Sequence, residues 1–178
     1  MIHLRYIQPI WIVKHINEFE KVLRNCRIVS LGSALQSGNS RILKLMNRFS
    51  DIGKIKDSFL KIKNANPNLM IATECINGFP SESLDELRDT LKLIKEIDFD
   101  WGYIIPFSCR PHTKAENIEP KISRAEILKR MKYVKEYFKN NGYNSSTIKN
   151  YNILTFNKQS SNLKFNQGTK SFCFSTIE

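Results

Sequence analysis

Hydrophobic positions along this chain alternate between two spacings. Residues 2–8 (IHLRYIQ) read as a strand, and Pro9 then opens a helical stretch in which Ile12, Ile16, Phe19 and Leu23 recur at steps of three and four. Residues 26–33 (CRIVSLGS) form a short β-branched apolar run, followed by the polar loop ALQSGN and by RILKLMNR. Residues 54–63 return to helical spacing, with Ile55, Phe59 and Ile62 on one face, before Asn66-Pro67 interrupts the chain ahead of the buried run NLMIATECI. After the loop NGFPSES, Ser83 and Glu86 have the spacing of a capping box for a helix reaching about Ile97. WGYIIPF reads as a fourth strand, and Ser123 with Glu126 starts a last helix whose apolar side includes Ile127, Met131, Val134 and Phe138, ending near Asn141-Gly142.

Strand and helix therefore alternate four times, which predicts parallel strands joined by helical crossovers. Ligands of such folds lie at the carboxyl ends of the strands, where Gln8-Pro9, ALQSGN, NGFPSES and SCRPHT all fall. The expected architecture is an α/β partial (β/α) barrel over residues 1–142, ending in a basic helix. Residues 143–178 are rich in Asn, Ser and Lys with weak periodicity, and are expected to form an irregular, poorly ordered or partner-dependent tail.

At 178 residues the chain is sized for a single core. No apolar run approaches the roughly 20 residues that span a bilayer, and the first 15 residues lack the pattern of a secretory signal, so no membrane role and a cytoplasmic location are expected. The net charge of +11 makes a polyanion a reasonable partner. The excess has two centres: residues 1–80 hold 12 basic against 5 acidic residues and residues 121–150 hold 8 against 2, whereas residues 81–100 hold 3 against 7. Lysines scattered over solvated faces give the same sum.

Cys26, Cys75, Cys109 and Cys173 match no CxxC or CxxxCxxC metal spacing, so no metal ligands or catalytic nucleophile are assigned. Cys26 and Cys75 read as small core residues. His3, His15 and His112 pair with no nucleophile, which leaves hydrolysis unsupported. At the strand ends, Gln36, Ser37 and Gly38 offer a side-chain amide and backbone N–H groups to a polar or carboxylate ligand, or form a simple helix cap with a glycine turn. Arg48, one helix on, can fold back to the same mouth as a carboxylate partner. Glu74 sits near the end of an apolar strand, where an acid needs a partner or a ligand. Gly78, Phe79 and Pro80 shape the next loop.

Taken together, LQSGNSRILKLMNR, NLMIATECINGFPSESLDELRDTLKLI and FDWGYIIPFSCRPHTKA resemble the second half of the radical SAM core of methylthiotransferases, over about residues 2–140. The shared features are a QSG loop, an LxxMxR helix, a GFPxE-type loop before an acidic helix, and a YSxRPxTxA-like segment. The resemblance implies a radical SAM-type half barrel and a family that cleaves S-adenosylmethionine with a 4Fe-4S cluster held by CxxxCxxC, a motif absent from this chain. It also implies that Gln36 and Arg48 contact the methionyl and ribose parts of S-adenosylmethionine, and Glu74 the ribose, with Ser37, Gly38, Gly78, Phe79 and Pro80 completing the rim. Lys114 stands where the family has Pro, and Cys75 and Asn77 where apolar residues are usual. Two expectations follow. One is a piece of a tRNA- or protein-modifying methylthiotransferase, inactive unless a missing N-terminal half or a neighbouring subunit supplies the cluster. The other is a non-catalytic partial barrel that binds RNA or nucleotides.

Overall fold

The computed structural model describes residues 1–25, 27–148 and 151–159. Four strands, β1 (Ile2–Leu4), β2 (Ile28–Gln36), β3 (Met70–Asn77) and β4 (Trp101–Pro106), lie side by side in chain order and run parallel. Helices α1 (Pro9–Lys14), α2 (Ile16–Asn25), α3 (Ser40–Leu45), α4 (Ile52–Ala65) and α5 (Leu84–Ile97) form the crossovers, and α6 (Arg124–Asn140) follows β4. This is a partial (β/α) barrel: among the described residues the sheet has two edges, β1 and β5, and does not close.

Local sequence explains most boundaries. Ser83 accepts from the Glu86 amide while Glu86 bonds back to the Ser83 amide, so the capping box is formed at α5. Asp51 and Ser123 cap α4 and α6 in the same single-sided way. Two boundaries differ from the sequence expectation. The helix opened by Pro9 breaks at His15 into α1 and α2. Ala34, Leu35 and Gln36 belong to β2 rather than to the loop that follows.

One face of the sheet is covered by helices around a core that includes Leu31, Leu35, Ile71, Cys75 and Ile104 from the strands and Ile12, Phe59, Ile94 and Val134 from the helices. The opposite face bears alternate residues of the same strands: register pairs Gly32 with Ala72, Glu74 with Tyr103 and Ile76 with Ile105. That face lacks a helical cover, and Glu74, Tyr103 and Ile105 on it are only partly buried.

The expected irregular tail from residue 143 requires correction. β5 (Tyr143–Ile148) and β6 (Ile153–Lys158) form an antiparallel hairpin, and β6 pairs antiparallel with β4, so the sheet order is β1-β2-β3-β4-β6-β5. Phe156 drives the docking: it is buried, stacks on Phe138 of α6 at 4.2 Å and meets Tyr143 edge-on at 5.6 Å. Only alternate positions of β5 are covered, and its exposed Asn, Ser and Thr disguise the strand in the sequence. Cys26 and residues 160–178, with the expectations placed on them, lie outside the described residues. No described helix is long and apolar enough to cross a membrane.

Candidate functional site

At the carboxyl end of β2 and β3 a cavity of about 270 Å³ opens between three walls. Gln36 and Ile76 contribute the strand ends, Leu45 to Arg48 the segment after β2, and Thr113 to Ala115 the loop after β4, with Phe79 reaching in from the loop after β3. None of the described lining residues is acidic, while Arg48 and Lys114 are cationic.

Two backbone reversals bring Gln36 and Arg48 together. The register of β2 against β3 shifts between Ser33 and Gln36, and Gln36 adopts φ 69°, a left-handed conformation uncommon outside glycine. Asn47, at φ 55°, closes the end of α3, and the amide of Arg48 donates to the carbonyl of Leu43 at 2.9 Å. The chain thus turns back on itself one residue before the arginine. The Arg48 side chain has no ion-pair or hydrogen-bond partner among the described residues, and partial burial lowers its pKa from the usual value. A desolvated cation without an anion is a site for one.

Ser37 and Gly38 do a different job. The Gly38 amide donates to the Thr90 hydroxyl at 2.8 Å, and Ser37 shares a hydrogen bond with the same hydroxyl at 3.3 Å. A Cβ at Gly38 would sit 2.6 Å from Thr90 Cα, so the glycine lets the loop press against α5. Asn39 accepts from the amides of Arg41 and Ile42 and donates to Asp89. The Gly38 N–H expected to be free for a ligand is therefore committed to the fold.

The loop after β3 is held from behind. Gly78, at φ 86°, donates its amide to Glu82 Oε2 at 2.7 Å, and a Cβ there would run into Ile127 of α6. Asn77 donates to the Ile127 carbonyl, and Arg130 donates to the Glu82 carbonyl at 2.9 Å. Pro80 is buried and does not line the cavity, whereas Phe79 does and meets Phe107 edge-on at 5.2 Å. Arg41 binds Glu86 through two nitrogens, at 2.6 and 2.7 Å, and also the Ser81 carbonyl, tying α3 to the start of α5.

Glu74 stands apart from this cavity. It lies two residues before Ile76 on the uncovered sheet face, about 7 Å back along the strand, and forms no ion pair with Arg48. Glu74 is opposite Tyr103, and burial raises its carboxyl pKa. The structure therefore brings Gln36, Arg48 and Phe79 together and leaves Ser37, Gly38, Gly78 and Pro80 as supports. Glu82, Thr90, Arg41 and Arg130 were not singled out in the sequence. Glu82 is the acid of the GFPxE-type loop, four residues after Gly78, which was the one sequence signal for its role.

Sequence comparison finds relatives over much of this chain. A tRNA-2-methylthio-N(6)-dimethylallyladenosine synthase of Buchnera aphidicola subsp. Baizongia pistaciae is 37% identical over 116 residues, 65% of this chain and 26% of the relative. The threonylcarbamoyladenosine tRNA methylthiotransferase MtaB of Chlamydia pneumoniae is 38% identical over 108 residues, 61% of this chain and 26% of the relative. This chain is related to the tRNA methylthiotransferases over about two thirds of its length. It spans about a quarter of the length of these two relatives. No protein-family model matches it. Among solved structures, coproporphyrinogen III oxidase (HemN) from Escherichia coli, a radical SAM enzyme, superposes with a TM-score of 0.73 over 90% of this chain and 36% of that one, at 16% identity. The likeness establishes a radical SAM-type fold for this methylthiotransferase-like chain.

Proposed function

We propose that this chain supplies the S-adenosylmethionine-binding rim of a radical SAM enzyme resembling the tRNA methylthiotransferases. The observation that carries the reading is Arg48, an unpartnered and partly buried cation beside Gln36 in a cavity whose described lining contains no acid. A methionyl carboxylate has the charge that relieves it. The Gln36 amide, both donor and acceptor, suits the neighbouring ammonium or a ribose hydroxyl, and Ile76 and Phe79 offer apolar surface. Glu74, further back on the same sheet face, has two acceptors for a ribose diol.

The described residues fit the organic cofactor and not the cluster. No group of three or more His, Cys, Asp or Glu among them could hold a metal ion. Cys75 is buried, and desolvation pushes its thiol up to about 12, while Cys109 is exposed. In the family the cluster supplies reductive cleavage of S-adenosylmethionine; its ligands would come from outside these residues, from another segment or a neighbouring subunit. The substrate proposed from the two relatives is tRNA.

Titration of the 178-residue chain with S-adenosylmethionine tests the rim. Weak, saturable binding is expected, reduced at least tenfold, or ~1.4 kcal/mol, by Arg48→Ala. Equal affinity in that variant would remove the site. The second reading, a partial barrel that binds RNA without chemistry, is favoured by the same cysteine arrangement, and an in-frame CxxxCxxC encoded just upstream would exclude it.

A further inference from the structure

Helix α6 carries six basic and two acidic residues. Arg130 turns inward to Glu82 and takes Glu126 as its partner at 3.0 Å, leaving Arg124, Lys129, Lys132, Lys135 and Lys139 exposed against Glu136. At 100° per residue, Arg124, Lys132, Lys135 and Lys139 fall within a sector of about 80° and extend over roughly 22 Å. None of the four has an ion pair or a side-chain hydrogen bond among the described residues. Most of the cations of α4 and α5 are paired instead: Lys54 meets Asp51, Lys56 and Lys92 meet Glu96, Lys63 meets Asp98 and Arg88 meets Asp85.

A second feature adjoins this stripe. Ser145 of β5 donates to the Lys135 carbonyl at 3.4 Å, so the sheet edge runs beside the cationic side of α6. That edge exposes Asn144, Ser146 and Thr147, neutral groups suited to phosphate oxygens and ribose hydroxyls. At its other end α6 packs through the buried Ile127 behind the loop that carries Phe79, where Ile127 accepts from Asn77.

We infer that the α6–β5 surface docks the phosphate backbone of RNA along the length of α6. Lys132, Lys135 and Lys139, about one turn or 5 Å apart, match a chain of closely spaced phosphates. Leu128 is the one large apolar residue exposed on α6, too little to anchor a lipid surface. Only the choice of tRNA as ligand rests on the proposed function.

The test is fluorescence polarisation of a labelled, unmodified tRNA transcript with the 178-residue chain across a salt series, without cofactor. The variant K132E/K135E/K139E is expected to bind at least tenfold more weakly, with a log–log salt slope shallower by about 2 to 3. K21E/K44E/K61E makes the same change in net charge on α2, α3 and α4 and is expected to lose less than threefold. Equal losses in the two variants, or none in the first, would overturn the inference, as would α6-dependent binding seen only with phosphatidylserine vesicles. These lysines do not line the cavity, so failure of S-adenosylmethionine binding would leave the result standing, and the reverse also holds.

Discussion

Gly78 donates its amide to Glu82 Oε2, so the loop that brings Phe79 to the cavity is closed by a carboxyl group that is itself 1% exposed. Among the described residues the other carboxyl oxygen of Glu82, Oε1, has no hydrogen-bond partner, and Arg130 Nη1 lies 3.6 Å from Oε2. Desolvation raises the Glu82 pKa from 4.5 to about 7, against the opposing pull of the Gly78 amide and Arg130. An acid whose folded pKa is raised contributes stability that is complete below pH 4.5 and is lost as pH rises through about 7. Urea midpoints of the native chain should therefore fall over that window relative to Glu82→Gln, which keeps an acceptor for Gly78. Parallel curves for the two proteins would refute the assignment.

Replacing Gly38 by Ala should destabilise the chain by about 1–3 kcal/mol, since the new methyl is forced against the α5 backbone. The loop cannot retreat without breaking the Gly38 to Thr90 hydrogen bond. Chemical denaturation measures the loss; a change below 0.5 kcal/mol would mean that the loop and helix are not in contact in solution.

Arg48→Met should do the opposite. The native guanidinium is desolvated without a counter-charge, so its removal should leave the melting temperature unchanged or raised while abolishing S-adenosylmethionine binding. A variant that lost both stability and binding would mark Arg48 as a structural residue.

Phe156→Ala should cost about 3–5 kcal/mol, the usual penalty for emptying a buried aromatic site. An irregular tail would instead tolerate the change, so one denaturation curve distinguishes a docked hairpin from a loose segment.

The parallel strands were legible because each is rich in β-branched and apolar residues between turn signals, and α5 because its capping box is written in residues three apart. The hairpin was not, because β6 pairs with a strand about fifty residues earlier and β5 is polar on its exposed side. At the site, glutamine and arginine after a strand suggested a shared mouth, and the left-handed Gln36 and Asn47 that create it carry no glycine to announce them. Glu74 illustrates the limit of strand-end reasoning: two residues along a strand separate a cavity wall from a position behind it. Contacts such as Arg130 to Glu82 join residues 48 apart and have no local signature.

The antiparallel seat of β6 against β4 gives the sheet a direction of growth. Another parallel strand cannot add to β4, because that flank is already occupied by a strand of opposite sense. A strand extending the parallel series would therefore enter beside β1, where Ile2, His3 and Leu4 form the outer flank among the described residues. Among the described residues the two margins differ in kind: β5 ends an antiparallel hairpin, whereas β1 leaves the parallel series open.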